Sequence, residues 1–326
     1  VLTRVIKDMI PRYRTMKGYD VPRKAGWDTH GLPVELEVEK LLGINGKDQI
    51  ENYGLQPFIE ECKKSVWKYK GMWEDFSKTV GFWADMENPY VTYDNNFIES
   101  EWWALKQIWE KGLLYKGFKI VPYCPRCGTP LSSHEVAQGY KDVKERSAVV
   151  RFKVKDEDAY ILAWTTTPWT LPSNVALCVN PNEVYVKVQH EGYTYYMAEA
   201  LVPAVLKENF TVLERYKGKD LEYKEYVPLF DFVKPDKKCW FVTCDTYVTL
   251  TDGTGVVHTA PAFGEDDANV GRKYDLPFVQ LVDSKGEMTE ETLWPGVFCK
   301  KADKDILKTL EEKGLLFDAP VFEHNY

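Results

Sequence analysis

The chain has 326 residues, of which 44% are hydrophobic, 28% charged and 14% aromatic, including 11 Trp and 20 Tyr. This composition excludes a disordered, collagenous or low-complexity chain, and the length predicts about two domains. A net charge of −8 argues against a generic nucleic-acid coat, although a local basic patch can still meet RNA.

No segment has the length and apolarity of a bilayer helix. The charge-free stretch 160–182 carries Pro168, Pro172 and Pro181 among many hydroxyls. No signal peptide is visible. The 7 Cys are odd in number and scattered, which predicts a reduced, cytoplasmic protein without a disulfide framework. The first residue is Val1, inside a helical pattern, so a piece of a longer protein is expected.

The first third reads as helix-rich. Leu2, Val5, Ile6, Met9, Ile10 and Tyr13 follow helical spacing, with Pro11 expected to kink or end the helix. Residues 19–28 read as a short extended or loop segment. Pro33 opens a helix carrying Val34, Val38, Leu41 and Leu42, stopped by Gly43. Residues 58–78 form an amphipathic pattern, and Asp94 is placed to cap another helix ending at Lys111-Gly112. After Tyr123 the period changes. Ala148, Val150, Phe152 and Val154 alternate with Val149, Arg151 and Lys153, and Val184, Val186 and Val188 alternate in the same way. Strand-like runs at 240–250 and 256–259 complete a barrel or sandwich pattern, and a helix over 303–313 closes it at Gly314.

Four segments carry chemistry. Gly26-Trp27-Asp28-Thr29-His30-Gly31-Leu32-Pro33 is a Gly-flanked turn entering a helix, where Asp and His can serve as capping groups. Cys124-Pro125-Arg126-Cys127 has zinc-knuckle spacing but gives two thiolates where structural zinc takes four ligands. His134, Cys239, Cys244 and Cys299 are candidate further ligands, and their spacing singles out none of them. Trp164-Thr165-Thr166-Thr167-Pro168-Trp169-Thr170-Leu171-Pro172-Ser173-Asn174 starts as a Thr-rich strand, since Thr favours strands, and breaks at Pro168. Hydroxyls clustered at a strand end can hydrogen-bond a ribose, an ester carbonyl and a water. His258 follows a Val-Val run as a packed strand-end residue would. The acids Glu265, Asp266 and Asp267 suit a helix N-terminus.

Taken together, these segments resemble isoleucyl-tRNA synthetases, in the family's order and over nearly the whole chain. Residues 1–15 resemble the helix after the family's His-Ile-Gly-His motif. The leucyl and valyl relatives differ at the first segment and carry Arg where Thr167 stands. The resemblance implies an α/β chain: a partial Rossmann catalytic domain at 1–123, a zinc-knuckle-like turn and linker at 124–146, a β-barrel editing domain at 147–323, and a return linker at 324–326. In the family the whole enzyme uses ATP and Mg to join isoleucine to tRNA, and the editing domain hydrolyses mischarged Val-tRNA. Neither His-Ile-Gly-His nor Lys-Met-Ser-Lys-Ser occurs here, so no amino acid activation is expected.

By the same resemblance Asp28 holds an amino-acid ammonium in the synthetic site, and Thr165, Thr166, Thr167, His258 and Asp267 form the editing centre. Asp267 grips the ammonium of the misattached amino acid, and His258 lines the pocket that tells valine from isoleucine. Trp164, Trp169 and Thr170 contact substrate. Phe263 departs from the small or polar residue common there. Editing needs no cofactor. Cys124 and Cys127 are expected to be a half-site for zinc, empty or weakly filled, because the family's second Cys pair lies beyond Tyr326. The implied partners are tRNA and an amino acid, with no membrane, for a cytoplasmic monomer. Lys116, Lys119, Arg126, Lys141, Lys144 and Arg146 are candidates to follow a tRNA backbone; Lys300, Lys301, Lys304 and Lys308 read as helix surface. The rival expectations are a tRNA-docking module without catalysis and a valyl or leucyl relative.

Overall fold

The computed structural model describes residues 2–325, with side chains through Glu323. Val1 and Tyr326, at the ends of the expected first domain and return linker, lie outside the described residues. The chain divides into two compact units, 1–117 and 118–326.

In the first unit the elements run α1 Leu2–Met16, β1 Lys24–Trp27, α2 Leu32–Leu42, α3 Lys47–Tyr53, α4 Leu55–Thr79, β2 Asp85–Val91 and α5 Asn95–Glu110. Pro11 does not end α1; the helix runs on to Met16, and the chain turns away at Gly18, whose φ of 84° suits glycine. The apolar residues of α1 are exposed, and its buried residue is Asp8. Arg12, Arg23 and the Trp83 N–H all bond that carboxylate, which more than offset burial and hold its pKa below the usual value. Strands β1 and β2 pair in parallel, and three helices cross between them, which is the βαβ unit of an α/β domain. Gly26 is required at that pairing, because a Cβ there would lie 2.1 Å from the Tyr90 ring. Helix α2 starts with Pro33 in its first turn and ends at Gly43 in the left-handed conformation.

The second unit holds β3 Tyr123–Cys124, β4 Thr129–Pro130, α6 Ser133–Ala137, β5 Asp142–Arg146, β6 Ala148–Lys153, β7 Tyr160–Thr165, β8 Ala176–Val179, β9 Val184–His190, β10 Tyr193–Ala198, α7 Val202–Leu206, β11 Phe210–Lys217, β12 Phe241–Cys244, β13 Val256–Thr259, α8 Glu265–Lys273, α9 Cys299–Glu312, β14 Leu316–Asp318 and β15 Val321–Asn325. A mixed 9-stranded sheet organises it. β6 and β7 are antiparallel, β13 lies parallel to β7, β8 antiparallel to β13, and β12 parallel to β8. The segment 223–227 then joins the two ends. Tyr223 and Tyr226 N–H groups donate to Val242 and Trp240, while Val227 N–H donates to Lys153 and Lys155 N–H to Glu225. These bonds close β6, β7, β13, β8 and β12 into a barrel, which leaves that ring without an open edge. β10, β9 and β11 extend the sheet from the first half of β7.

Within 240–250 only Phe241–Cys244 is a strand; the rest turns, with Tyr247 N–H donating to Asp245 and left-handed Gly253 and Gly255 following. β15 pairs antiparallel with β5, so residues 324 and 325 continue a strand. The core is filled by Phe152, Leu162, Leu177, Tyr185, Tyr195 and Met197, with Ala302, Ile306 and Leu310 of α9 packed into the same cluster. No helix among the described residues is long and apolar enough to cross a membrane.

Candidate functional site

Parallel pairing sets the site. Val257 lies beside Trp164, so β7 and β13 run side by side and end together. Their carboxyl ends bring the Thr-rich segment and the His258 segment to one place. Pro168, which has no N–H to continue the ladder, turns the chain after β7 into a 3-10 turn over Pro168–Ser173. Gly264 precedes α8, whose first turn carries Glu265, Asp266 and Asp267.

Four side chains form one hydrogen-bonded group. Thr165 Oγ1 accepts from the Thr167 N–H at 3.0 Å and lies 3.3 Å from Thr167 Oγ1, which is itself 3.3 Å from Thr170 Oγ1. Thr170 Oγ1 donates to the Thr167 carbonyl at 2.8 Å and meets His258 Nε2 at 2.8 Å. A hydroxyl has one proton to give. Since Thr170 gives its proton to the carbonyl, His258 donates from Nε2 and keeps a bare lone pair on Nδ1. That Nδ1 is buried without a partner, and burial holds the imidazole pKa down to about 4, so the ring is neutral at pH 7.

Asp267 reaches back from α8 and accepts from the Ala260 N–H at 2.9 Å. Burial raises its pKa to about 6 despite that bond, with the neighbouring Asp266 charge adding to the rise. Gly264 leaves the room, because a Cβ there would sit 3.0 Å from the Asp267 carboxyl carbon. Trp169 packs edge-on against Phe263 at 5.0 Å, tying the 3-10 turn to the loop before α8. Ala260, which binds the Asp267 carboxylate, lies two residues after His258, so the hydroxyl–imidazole group and the carboxylate are linked through the end of β13; a carboxylate that is expensive to bury suits a cationic, polar ligand.

The remaining sequence candidates are placed differently. Trp164 alternates with Thr165 and points to the other face of β7, where its ring meets Phe322 at 5.2 Å and backs a hollow of about 240 Å³ with Tyr247 and Val257. Thr166 is half-buried at the bend after β7. Asp28 is exposed in the first unit, next to Thr29, whose N–H donates to Thr92 Oγ1 at 3.0 Å. Cys124 and Cys127 face each other across the β3–β4 turn, where Gly128 N–H donates to the Cys124 carbonyl. Burial and the Cys124 thiol raise the Cys127 pKa, with Arg126 opposing. Among the described residues no third His, Cys, Asp or Glu joins this pair, so these residues do not make a closed zinc site. Asp303 of α9 was missed by sequence reasoning: burial raises its pKa to about 7, and its Oδ1 is buried without a hydrogen-bond partner. The signal was available, because Asp303 lies in the helical stripe of Cys299, Ala302, Ile306 and Leu307.

The family model for class I tRNA synthetases (I, L, M and V) matches residues 1–259. The chain belongs to this family. It is similar to the isoleucine–tRNA ligase of Clostridium novyi, 60% identical over the whole chain, and to that of Bacillus thuringiensis (strain Al Hakam), 54% identical. In both cases it spans 32% of the relative's length. Among solved structures, the P. knowlesi cytosolic leucyl-tRNA synthetase editing domain matches with a TM-score of 0.43 and 13% identity, covering 56% of this chain and 97% of that one.

Proposed function

We propose that the second unit of this chain is the proofreading site of an isoleucine–tRNA ligase, hydrolysing valine from mischarged tRNA. One missing methylene gives a binding pocket only about 1–3 kcal/mol of selectivity, and isoleucyl enzymes are the general example of that limit. A second, smaller site that removes the wrong product is the chemical answer. The observation that carries the proposal is the bond between Thr170 and His258, which joins two segments 88 residues apart at the ends of β7 and β13.

An aminoacyl ester is already activated, so the site has to supply position more than reactivity. In this reading the ionised Asp267 pins the α-ammonium. The hydroxyls of Thr165 and Thr167 place the terminal ribose and ester, and Thr166 at the bend adds a third. Hydroxyls or backbone N–H groups stabilise the oxyanion as water attacks. Neutral His258, held by Thr170, lines the side-chain pocket and is a poor general base at a pKa of about 4. Trp169 forms the wall toward Phe263. Trp164 is left out of the pocket, because it faces the other side of β7.

Activation of isoleucine with ATP and Mg, with Asp28 on the amino acid, belongs in this reading to the whole ligase, a cytoplasmic monomer acting on tRNA. The test is deacylation: the chain should hydrolyse Val-tRNA and spare Ile-tRNA. A chain that binds tRNA and hydrolyses neither is a docking module.

A further inference from the structure

The 3-10 turn Pro168–Ser173 carries Thr170, the partner of His258, and ends on Asn174. Short 3-10 turns have poor hydrogen-bond geometry and need support from outside. The Asn174 N–H closes this one, donating to the Leu171 carbonyl at 3.1 Å. The outside support comes from the segment that closes the barrel. Tyr226 is buried in the core with its ring edge-on to Phe152 at 5.3 Å, and its hydroxyl donates to Asn174 Oδ1 at 2.7 Å, across 52 residues of chain. Asn174 Nδ2 in turn donates to the Ala176 carbonyl at 2.8 Å. Trp240 holds the backbone of the same residues. Its Nε1 donates to the Asn174 carbonyl at 3.2 Å and its N–H to the Val175 carbonyl at 2.6 Å, while its own carbonyl accepts from the Tyr226 N–H at 2.9 Å. Trp240 has a φ of 60°, a costly conformation for a bulky residue, which persists only where the surroundings fix it. The stretch also reaches β13, because the Val175 N–H donates to the Thr259 carbonyl at 3.0 Å, one residue after His258.

We propose that Tyr226 is a positioning residue of the editing site: its hydroxyl fixes Asn174, and through Asn174 it fixes the turn that holds Thr170 against His258. A phenylalanine would fill the same space beside Phe152, and a hydroxyl in an apolar core is costly unless it is bonded. The hydroxyl therefore serves Asn174 and not the packing of the ring. Its effect is read at the imidazole. The Thr170 bond at 2.8 Å sets which nitrogen of His258 carries the proton, so a displaced turn releases the choice of tautomer. Closure of the barrel by 223–227 and assembly of the hydroxyl–imidazole group are then a single event, since one tyrosine takes part in both. This inference rests on the proofreading reading above.

Tyr226→Phe tests it, because it removes the hydroxyl and keeps the ring. The variant should slow Val-tRNA deacylation about tenfold in kcat, with KM little changed. Nitrogen-15 shifts of the His258 ring should show the single Nε2–H tautomer in the parent and a mixture in the variant. Tyr196→Phe is the control. Tyr196 is equally buried, and its hydroxyl donates to Glu157 at 2.9 Å, on the turn between β6 and β7. This control should keep the parent kcat and the parent His258 spectrum, even where its melting temperature falls as far. In an Asn174→Ala background, Tyr226→Phe should slow kcat by less than about twofold more, because the hydroxyl acts through Asn174. A parent-like kcat and spectrum in Tyr226→Phe overturn the proposal. So does a Tyr196→Phe variant that is as slow, or the full loss persisting in the Asn174→Ala background. Loss of cooperative melting in Tyr226→Phe also overturns it, since the hydroxyl would then support the barrel at large. If the parent chain fails to deacylate, the proofreading reading fails, and the His258 spectra alone still decide whether Tyr226 positions the turn.

Discussion

Asp267 is half-buried and His258 buried, and they are driven in opposite directions, the acid up to about 6 and the imidazole down to about 4. At pH 7 the result is an ionised carboxylate and a neutral ring. A charge-assisted bond to an ammonium contributes on the order of 1.5–3 kcal/mol, so Asp267→Ala should slow Val-tRNA deacylation at least about tenfold. Asp266→Ala is the control, with the same charge one residue away on α8; equal losses in both would mean diffuse electrostatics instead of an anchor. The same acid should cost stability. Its folded pKa is above the unfolded value of 3.8, so stability is full below about pH 4 and is lost as pH rises to about 6. Asp267→Asn should therefore stabilise the fold at pH 7 by on the order of 2–3 kcal/mol. The gain should vanish at pH 4, and urea titrations at the two pH values would read it. His258 works the other way, its contribution being present above pH 6.5 and lost as pH falls toward 4.

Elements decide which of these residues can meet. Helices with marked ends were readable from the sequence: α2 has Pro33 and Gly43, and α4 and α5 have long periodic faces. The closure of the barrel was not readable, because it depends on single bridges made by the irregular segment 223–227. The side of β7 on which Trp164 falls follows from period two once the strand's ends are known. Its membership in a contiguous motif suggested otherwise. Asp303 was passed over because the Lys300, Lys301, Lys304 and Lys308 set drew the helix as plain surface, although Lys300 is bound to Glu145. Gly26 shows a motif glycine with a packing cause. Gly26→Ala would press on the Tyr90 ring at 2.1 Å and should destabilise the parallel β1–β2 pair by about 1–3 kcal/mol. Thermal melts of the variant measure this directly. At the Cys124–Cys127 turn the chain offers two thiols, one with a raised pKa, and metal needs thiolates. Zinc binding should be weak and should strengthen with rising pH. Stoichiometric zinc retained through dialysis at pH 7 would contradict this.

At the scale of the molecule, the two units divide the chain at Gly117 and carry different chemistry. The first holds a βαβ unit with exposed Asp28, and the second holds a closed barrel with the hydroxyl, imidazole and carboxylate groups at one end of two parallel strands. The resemblance of the motifs implied that the Thr-rich and His258 segments share a site. Geometry that depends on a register or a facing helix became visible only in the fold. The central claim is that the barrel's strand-end site hydrolyses the wrong ester and leaves the right one. The direct measurement is the rate of ester loss from Val-tRNA and Ile-tRNA incubated with the chain, beside the Asp267→Ala variant. The account predicts rapid loss from Val-tRNA only, and its slowing by at least about tenfold in the variant. Equal rates for the two esters, or an unchanged rate in the variant, would contradict it.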